Sequence, residues 1–87
     1  RVDISNNIFH TMTKAGIKGT YTSPSNVKLV KINNNIFYNN GTYGQDWNAD
    51  PTRSGVVISD YNAYGTNSSG SRNNIAAGSH DVTITAD

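Results

Sequence analysis

The side chains best equipped for chemistry in this chain gather between residues 38 and 53. Trp47, Tyr43 and Tyr38 offer flat aromatic faces of the kind that stack on sugar rings, with Asp46 and Asp50 close by. The same two carboxylates, four residues apart in a run rich in Gly and Asn, could converge on calcium, which takes several oxygen ligands and accepts carbonyl and amide oxygens. No EF-hand pattern and no nonapeptide calcium repeat accompanies them, so solvated turn carboxylates are the alternative. Trp47 has an alternative too, as a lid folded over a small core. Four cations, Lys14, Lys18, Arg53 and Arg72, stand within reach of the same chemistry. Removing a proton next to a carboxylate needs a base such as Lys, Arg or Tyr, and a positive charge to neutralise the acid. Ordinary surface charge is the other reading of each cation. His10 and His80 fall at different places in the chain pattern and share no obvious register, so a zinc pair is not expected. Asn40-Gly41-Thr42 and Asn67-Ser68-Ser69 match glycosylation acceptors.

The elements that must position these groups are legible in composition. Asn (13), Ser (9), Thr (9) and Gly (8) supply the polar bulk of the 87 residues, while Val and Ile number 14 against one Leu. Glu is absent and Gln45 is the one Gln. β-Branched and turn residues abound where helix formers are missing, which predicts an all-β chain. A net charge of +1 gives no basic field for nucleic acid. The absence of Cys removes disulfides, thiolate zinc sites and cysteine nucleophiles. The longest aliphatic run, Val56-Val57-Ile58, is far short of a membrane-spanning helix. The chain opens at Arg1 with no Met and no signal segment, as processing or fragmentation would leave it.

An internal repeat organises the strands. Val2-Asp3-Ile4-Ser5-Asn6-Asn7-Ile8-Phe9 returns as Val30-Lys31-Ile32-Asn33-Asn34-Asn35-Ile36-Phe37, identical at six of eight positions. Val56-Val57-Ile58-Ser59-Asp60-Tyr61-Asn62-Ala63-Tyr64 reads as a third copy with one residue inserted before its Asn, and Val82-Thr83-Ile84-Thr85 as the start of a fourth. The starts lie 28, 26 and 26 residues apart. The alternation predicts inward columns of Val2, Val30, Val56, Val82 and of Ile4, Ile32, Ile58, Ile84, stacked about 4.8 Å apart. Asn7, Asn35 and Asn62 are expected to take left-handed corners and to stack as a hydrogen-bonded amide ladder.

On these residues the whole chain resembles the right-handed parallel β-helix, or pectin-lyase-like, superfamily. The resemblance implies a solenoid of about three coils of 26–28 residues: a single segment over 1–87, without recognisable caps, read as a piece of a longer helix whose remaining coils are its partner. It implies that Val30–Ile32 is a second strand, Asn35 the corner and Ile36–Tyr38 a third strand. Residues 15–18 would form a first strand, and 75–85 a first strand, short turn and second strand. Asn39 to about Thr52 and Gly65 to about Asn73 would be loops. Similar enzymes build their substrate groove from such loops and the first-strand face, which implies a secreted or cell-surface protein acting on polysaccharide.

Within that resemblance, a lyase that cleaves uronic-acid polymers by β-elimination would use Lys18 and Arg72 as catalytic cations. Trp47, Tyr43 and Arg53 would hold substrate, and Asp46 and Asp50 a calcium ion. The paired adjacent Asp, His-flanked Gly and Arg-x-Lys of polygalacturonase-like hydrolases are missing, which lowers the hydrolase expectation. A non-catalytic structural, adhesive or carbohydrate-binding β-helix is the alternative. Lys and Arg converging with an acid cluster in one groove would favour the enzyme, and their scattering over different faces the structural protein.

Overall fold

A short run of alternating β-branched residues becomes a strand where its alternate side chains have an interior to enter. The computed structural model describes residues 2–20 and 29–84. It contains strands β1 (Val2–Ser5), β2 (Ile8–His10), β3 (Ile17–Gly19), β4 (Val30–Asn33), β5 (Ile36–Tyr38), β6 (Tyr43–Trp47), β7 (Val57–Asp60), β8 (Ala63–Gly65), β9 (Gly70–Asn73) and β10 (Val82–Thr83). A 3₁₀ turn, Pro51–Ser54, lies between β6 and β7. The strands form three sheets, in the orders β1-β4-β7, β10-β8-β5-β2 and β3-β6-β9, and all pair in parallel. The chain therefore visits the first, second and third sheet in turn, three times, and then returns once to the second.

What turns the chain from the first sheet to the second is a two-residue corner. Asn6, Asn34 and Tyr61 take left-handed backbone angles, with φ of 59°, 61° and 56°. The ladder residues Asn7, Asn35 and Asn62 follow them. The expectation that the ladder residues are themselves left-handed is thus corrected by one position. Turning on the preceding residue leaves each ladder amide free to point inward. Asn is the non-glycine residue that tolerates this angle best, whereas the bulky Tyr61 carries strain there.

The amides bond as a continuous chain. The backbone N–H of Asn7 donates to Asn35 Oδ1 at 3.0 Å, that of Asn35 to Asn62 Oδ1 at 3.0 Å, and that of Asn62 to Asp81 Oδ1 at 2.8 Å. Each interior Nδ2 reaches back to a carbonyl of the preceding pass, Asn35 to Ile4 at 2.8 Å and Asn62 to Ile32 at 2.9 Å.

This ladder overrides the aliphatic repeat. Val2 and Ile4 pair with Val30 and Ile32 as the repeat predicts, but β4 meets β7 as Val30 with Val57 and Ile32 with Ser59. Val57 is buried, whereas Ile58, expected inside, is 46% exposed. Seating Ile58 inward would slip β7 by one residue, turn each side chain to the other face and pull Asn62 off Asn35. Burying one aliphatic residue is worth about 1.5–3 kcal/mol. Several buried unpaired groups at about 1–3 kcal/mol each outweigh it. Ser59 takes the inward place because Gln45 Nε2 and Asn62 Nδ2 both donate to its hydroxyl, at 3.0 and 3.2 Å.

The expected fourth copy is also corrected. Val82 pairs with Ala63 and Thr83 with Tyr64, so β10 extends the second sheet and not the column of Val2. Asp81 takes the rung before it. Residues 75–81 contain no strand, although Ile75 is buried. Thr85 lies outside the described residues. Both expected loops contain a strand instead, β6 in one and β9 in the other. Their alternation is hidden because the inward positions hold Gln45 and Arg72 rather than aliphatics.

The core is a column more than a ball. Phe9, Phe37 and Tyr64 stack with ring centroids 5.0 Å apart at each step, close to the strand spacing, and Ile32, Val57 and Ile75 pack beside them. Removing the interior rung by Asn35→Leu leaves several polar groups unpaired, and the expected cost is on the order of 1–3 kcal/mol. Thermal unfolding followed by circular dichroism should show a midpoint lowered by several degrees. An unchanged midpoint would show that the rung carries no stability.

Candidate functional site

The third sheet positions most of the residues with chemical promise, and strand alternation sorts them. Ile17, Gln45 and Arg72 are one set of register partners; Lys18, Asp46 and Asn73 are the next. Gln45 is fully buried and Arg72 half-buried with its guanidinium 5.1 Å from the centre of the Tyr64 ring. Lys18 is exposed on the outer face. Lys18 on β3 and Arg72 on β9 are therefore separated by β6, one register position apart and on opposite faces of the sheet. The cation on Tyr64 is held by the ring's negative face.

Trp47 belongs to the inward set. Its indole N–H donates to Gln45 Oε1 at 3.1 Å, while Gln45 Nε2 donates to Ser59 Oγ at 3.0 Å and to the Tyr64 hydroxyl at 2.8 Å. Burial pushes the ionisation of Tyr64 upward, keeping that hydroxyl neutral. The indole lies on Gly19, where a Cβ would fall 2.4 Å from the ring. Of the two readings of Trp47, this is the geometry of the lid. Tyr43 pairs with Gly70 and lies half-buried over it. Arg53 is exposed in the last turn of the 3₁₀ segment.

The two carboxylates of the expected calcium pair have separate protein partners. Asp46 Oδ1 accepts from Asn73 Nδ2 at 2.9 Å on the outer face. Asp50 caps the 3₁₀ turn, its Oδ1 accepting from the Thr52 N–H at 2.9 Å and the Thr52 hydroxyl at 2.6 Å. Partial burial raises the Asp50 pKa, yet these hydrogen bonds and nearby Arg53 outweigh it, so the carboxyl sits below its usual range. Among the described residues, no group of three or more His or Asp side chains could hold a metal, and no cavity opens.

Two constellations were not anticipated from the sequence. The first is a second ladder at the next corner, where Thr11, Asn39 and Thr66 are left-handed. The Met12 N–H donates to Asn40 Oδ1 at 3.1 Å and the Asn40 N–H to Asn67 Oδ1 at 3.0 Å; the Nδ2 atoms of Asn40 and Asn67 donate to Phe9 O and Phe37 O, each at 3.0 Å. The signal was present: Asn40 and Asn67 keep the 27-residue spacing of Asn35 and Asn62. Both glycosylation motifs thus have their acceptor nitrogen engaged in the fold, and Asn40 is 1% exposed.

The second constellation joins Asp60, Tyr61 and His80. His80 Nδ1 lies 2.8 Å from Asp60 Oδ2, the backbone N–H groups of Tyr61 and His80 donate to Asp60 Oδ1 at 2.8 Å each, and the Tyr61 and His80 rings stack 4.4 Å apart. No spacing rule brings residues twenty apart together here, because the shortened last return does it. The His80 hydrogen bond, with those two N–H groups, holds the Asp60 carboxyl below its usual range. Comparison with protein families, with curated proteins and with solved structures finds no match.

Two outcomes follow from this geometry. Gly19→Ala should expel the indole, red-shifting Trp47 emission and lowering the unfolding midpoint; unchanged emission would mean the ring is not seated there. A depressed folded-state pKa at Asp60 contributes stability above the unfolded value near 4, which is lost as pH falls through the folded value. The midpoint difference between the native chain and Asp60→Asn should therefore shrink as pH is lowered from about 5 to 2. A constant difference would exclude the carboxylate as its source.

Proposed function

We propose that this chain is a stretch of right-handed parallel β-helix, and that these coils serve as non-catalytic scaffold in a secreted or cell-surface protein. Support for the helical reading comes from the repeated visits to three parallel sheets and from two amide ladders in step with the repeat.

The observation that carries the scaffold reading is the engagement of polar side chains in holding successive passes together. Asn35, Asn40, Asn62, Asn67, Gln45 and Ser59 all bond across the fold, Asp50 caps a turn, and Arg72 lies on a ring of the core. Elimination needs a base and a neutralising cation facing one substrate carboxylate. Lys18 and Arg72 face opposite sides of their sheet, the scattering that favours a structural protein. Should the protein act on a uronic-acid polymer, its chemistry belongs to other coils.

The test is an absorbance assay for unsaturated product on pectate, alginate and glycosaminoglycan, with and without calcium. No turnover is expected from the 87-residue chain. Turnover abolished by Lys18→Ala, in a variant whose unfolding midpoint is unchanged, would overturn the scaffold reading in favour of the lyase.

A further inference from the structure

The two ends of the winding differ in chemistry. At the end formed by β7, β9 and β10, the first ladder stops. Successive rungs lie 28 and 27 residues apart, but Asn62 reaches Asp81 in 19. Among the described residues the first sheet receives no fourth strand, and Gly78 passes so close beneath β7 that a Cβ would fall 2.6 Å from Ser59 O. Asp81 Oδ1 accepts from Asn62, and its Oδ2 accepts the Gly78 N–H at 2.8 Å. A carboxylate has no hydrogen to offer onward. The backbone N–H of Asp81, which would serve a following rung, turns back to Gly78 O at 3.2 Å. The stack Phe9, Phe37, Tyr64 ends there on the Arg72 guanidinium, a charge that stays partly in water.

The end formed by β1, β2 and β3 has the opposite character. Asn35 and Asn62 each accept, through Oδ1, the N–H of the rung before; Asn7 Oδ1 accepts none from the described residues. Ile4, Phe9 and Ile17 are only half-buried, whereas Ile32 and Phe37, register partners of the first two, are fully buried. The second ladder starts at the backbone N–H of Met12, whose side chain has no carboxamide to take up a donor from above.

Resting on the β-helix reading, we propose that the β1–β3 end is a docking face for one further parallel coil that leads directly into Val2, while the β7–β10 end terminates the ladder. The face calls for a specific partner: a backbone N–H over Asn7 Oδ1, an aliphatic side chain over Ile4 and a ring or aliphatic over Phe9. Those are the groups that the first pass itself presents to the second, so the docked coil continues an interface already built twice. A second copy cannot supply them through its β7–β10 end, since that end keeps its rung N–H within its own turn.

The experiment replaces Arg1 by a duplicate of residues 30–56, placed so that its last residue precedes Val2, and compares this fusion with the 87-residue chain. The fusion should unfold at a midpoint higher by about 5 °C or more, and amides of β1 and β2 should gain protection from hydrogen exchange. Asn7→Leu should remove most of that gain in the fusion while barely moving the midpoint of the 87-residue chain, with Asn7→Ser as the milder check on folding. An unprotected added coil, or an equal cost of Asn7→Leu in both contexts, overturns the proposal. So does concentration-dependent self-association of the 87-residue chain that Asn7→Leu abolishes, which would assign the face to a second copy. Failure of the β-helix reading shows separately, as fast exchange of the Asn35 and Asn62 N–H groups in the unfused chain.

Discussion

One constraint governs this fold: a backbone that turns a sharp corner inside a narrow molecule must find partners for the amide groups the corner frees. A primary carboxamide is suited to that place, because it accepts and donates at one position. Asn35 takes the N–H of Asn7 on its oxygen and gives its own hydrogens to Ile4 O and Asn62 Oδ1. Each rung so placed fixes how far the next pass must run before it turns, and register follows from the rungs. Hence Ile58 lies in water and Ser59 in the interior. Satisfying several buried polar groups outweighs burying one aliphatic side chain.

The interior that results is unusually polar for its size. Gln45, Ser59, Tyr64, Trp47 and Asn62 form one connected hydrogen-bond network, and among the described residues no buried side-chain nitrogen or oxygen lacks a partner. A fully satisfied network of this kind rigidifies a small core; a half-satisfied one would be worse than none. The aromatic column supplies the apolar part, each ring covering the one in the neighbouring pass at the strand spacing. The ring stacking and the amide ladder alike run between one pass and the next.

The same arrangement sets the residues with chemical promise apart from one another. Alternation in the third sheet separates Lys18 from Arg72, and the Trp47 indole is held against Gly19 rather than offered as an open platform. Asp46 and Asp50 serve different elements, one bonded to Asn73 and the other capping a turn.

The sequence by itself determined a great deal here. Composition established an all-β chain, the Val-x-Ile alternation placed β1 and β4, and the Asn35 and Asn62 rungs were legible because a polar residue at a fixed place in an apolar repeat needs a partner. Only the tertiary structure decided the rest. Whether the third copy aligns on Val56 or Val57 depends on Asn62 meeting Asn35, a contact between passes that no local pattern contains. The strands β6 and β9 read as loops because their inward residues, Gln45 and Arg72, are polar, and their partners Ser59 and Tyr64 lie on other sheets. The Asp60–His80 contact exists because the last return is shortened to 19 residues. Periodicity records which side chains face inward along one strand; it carries no information about what they meet there, since those partners come from elsewhere in the chain.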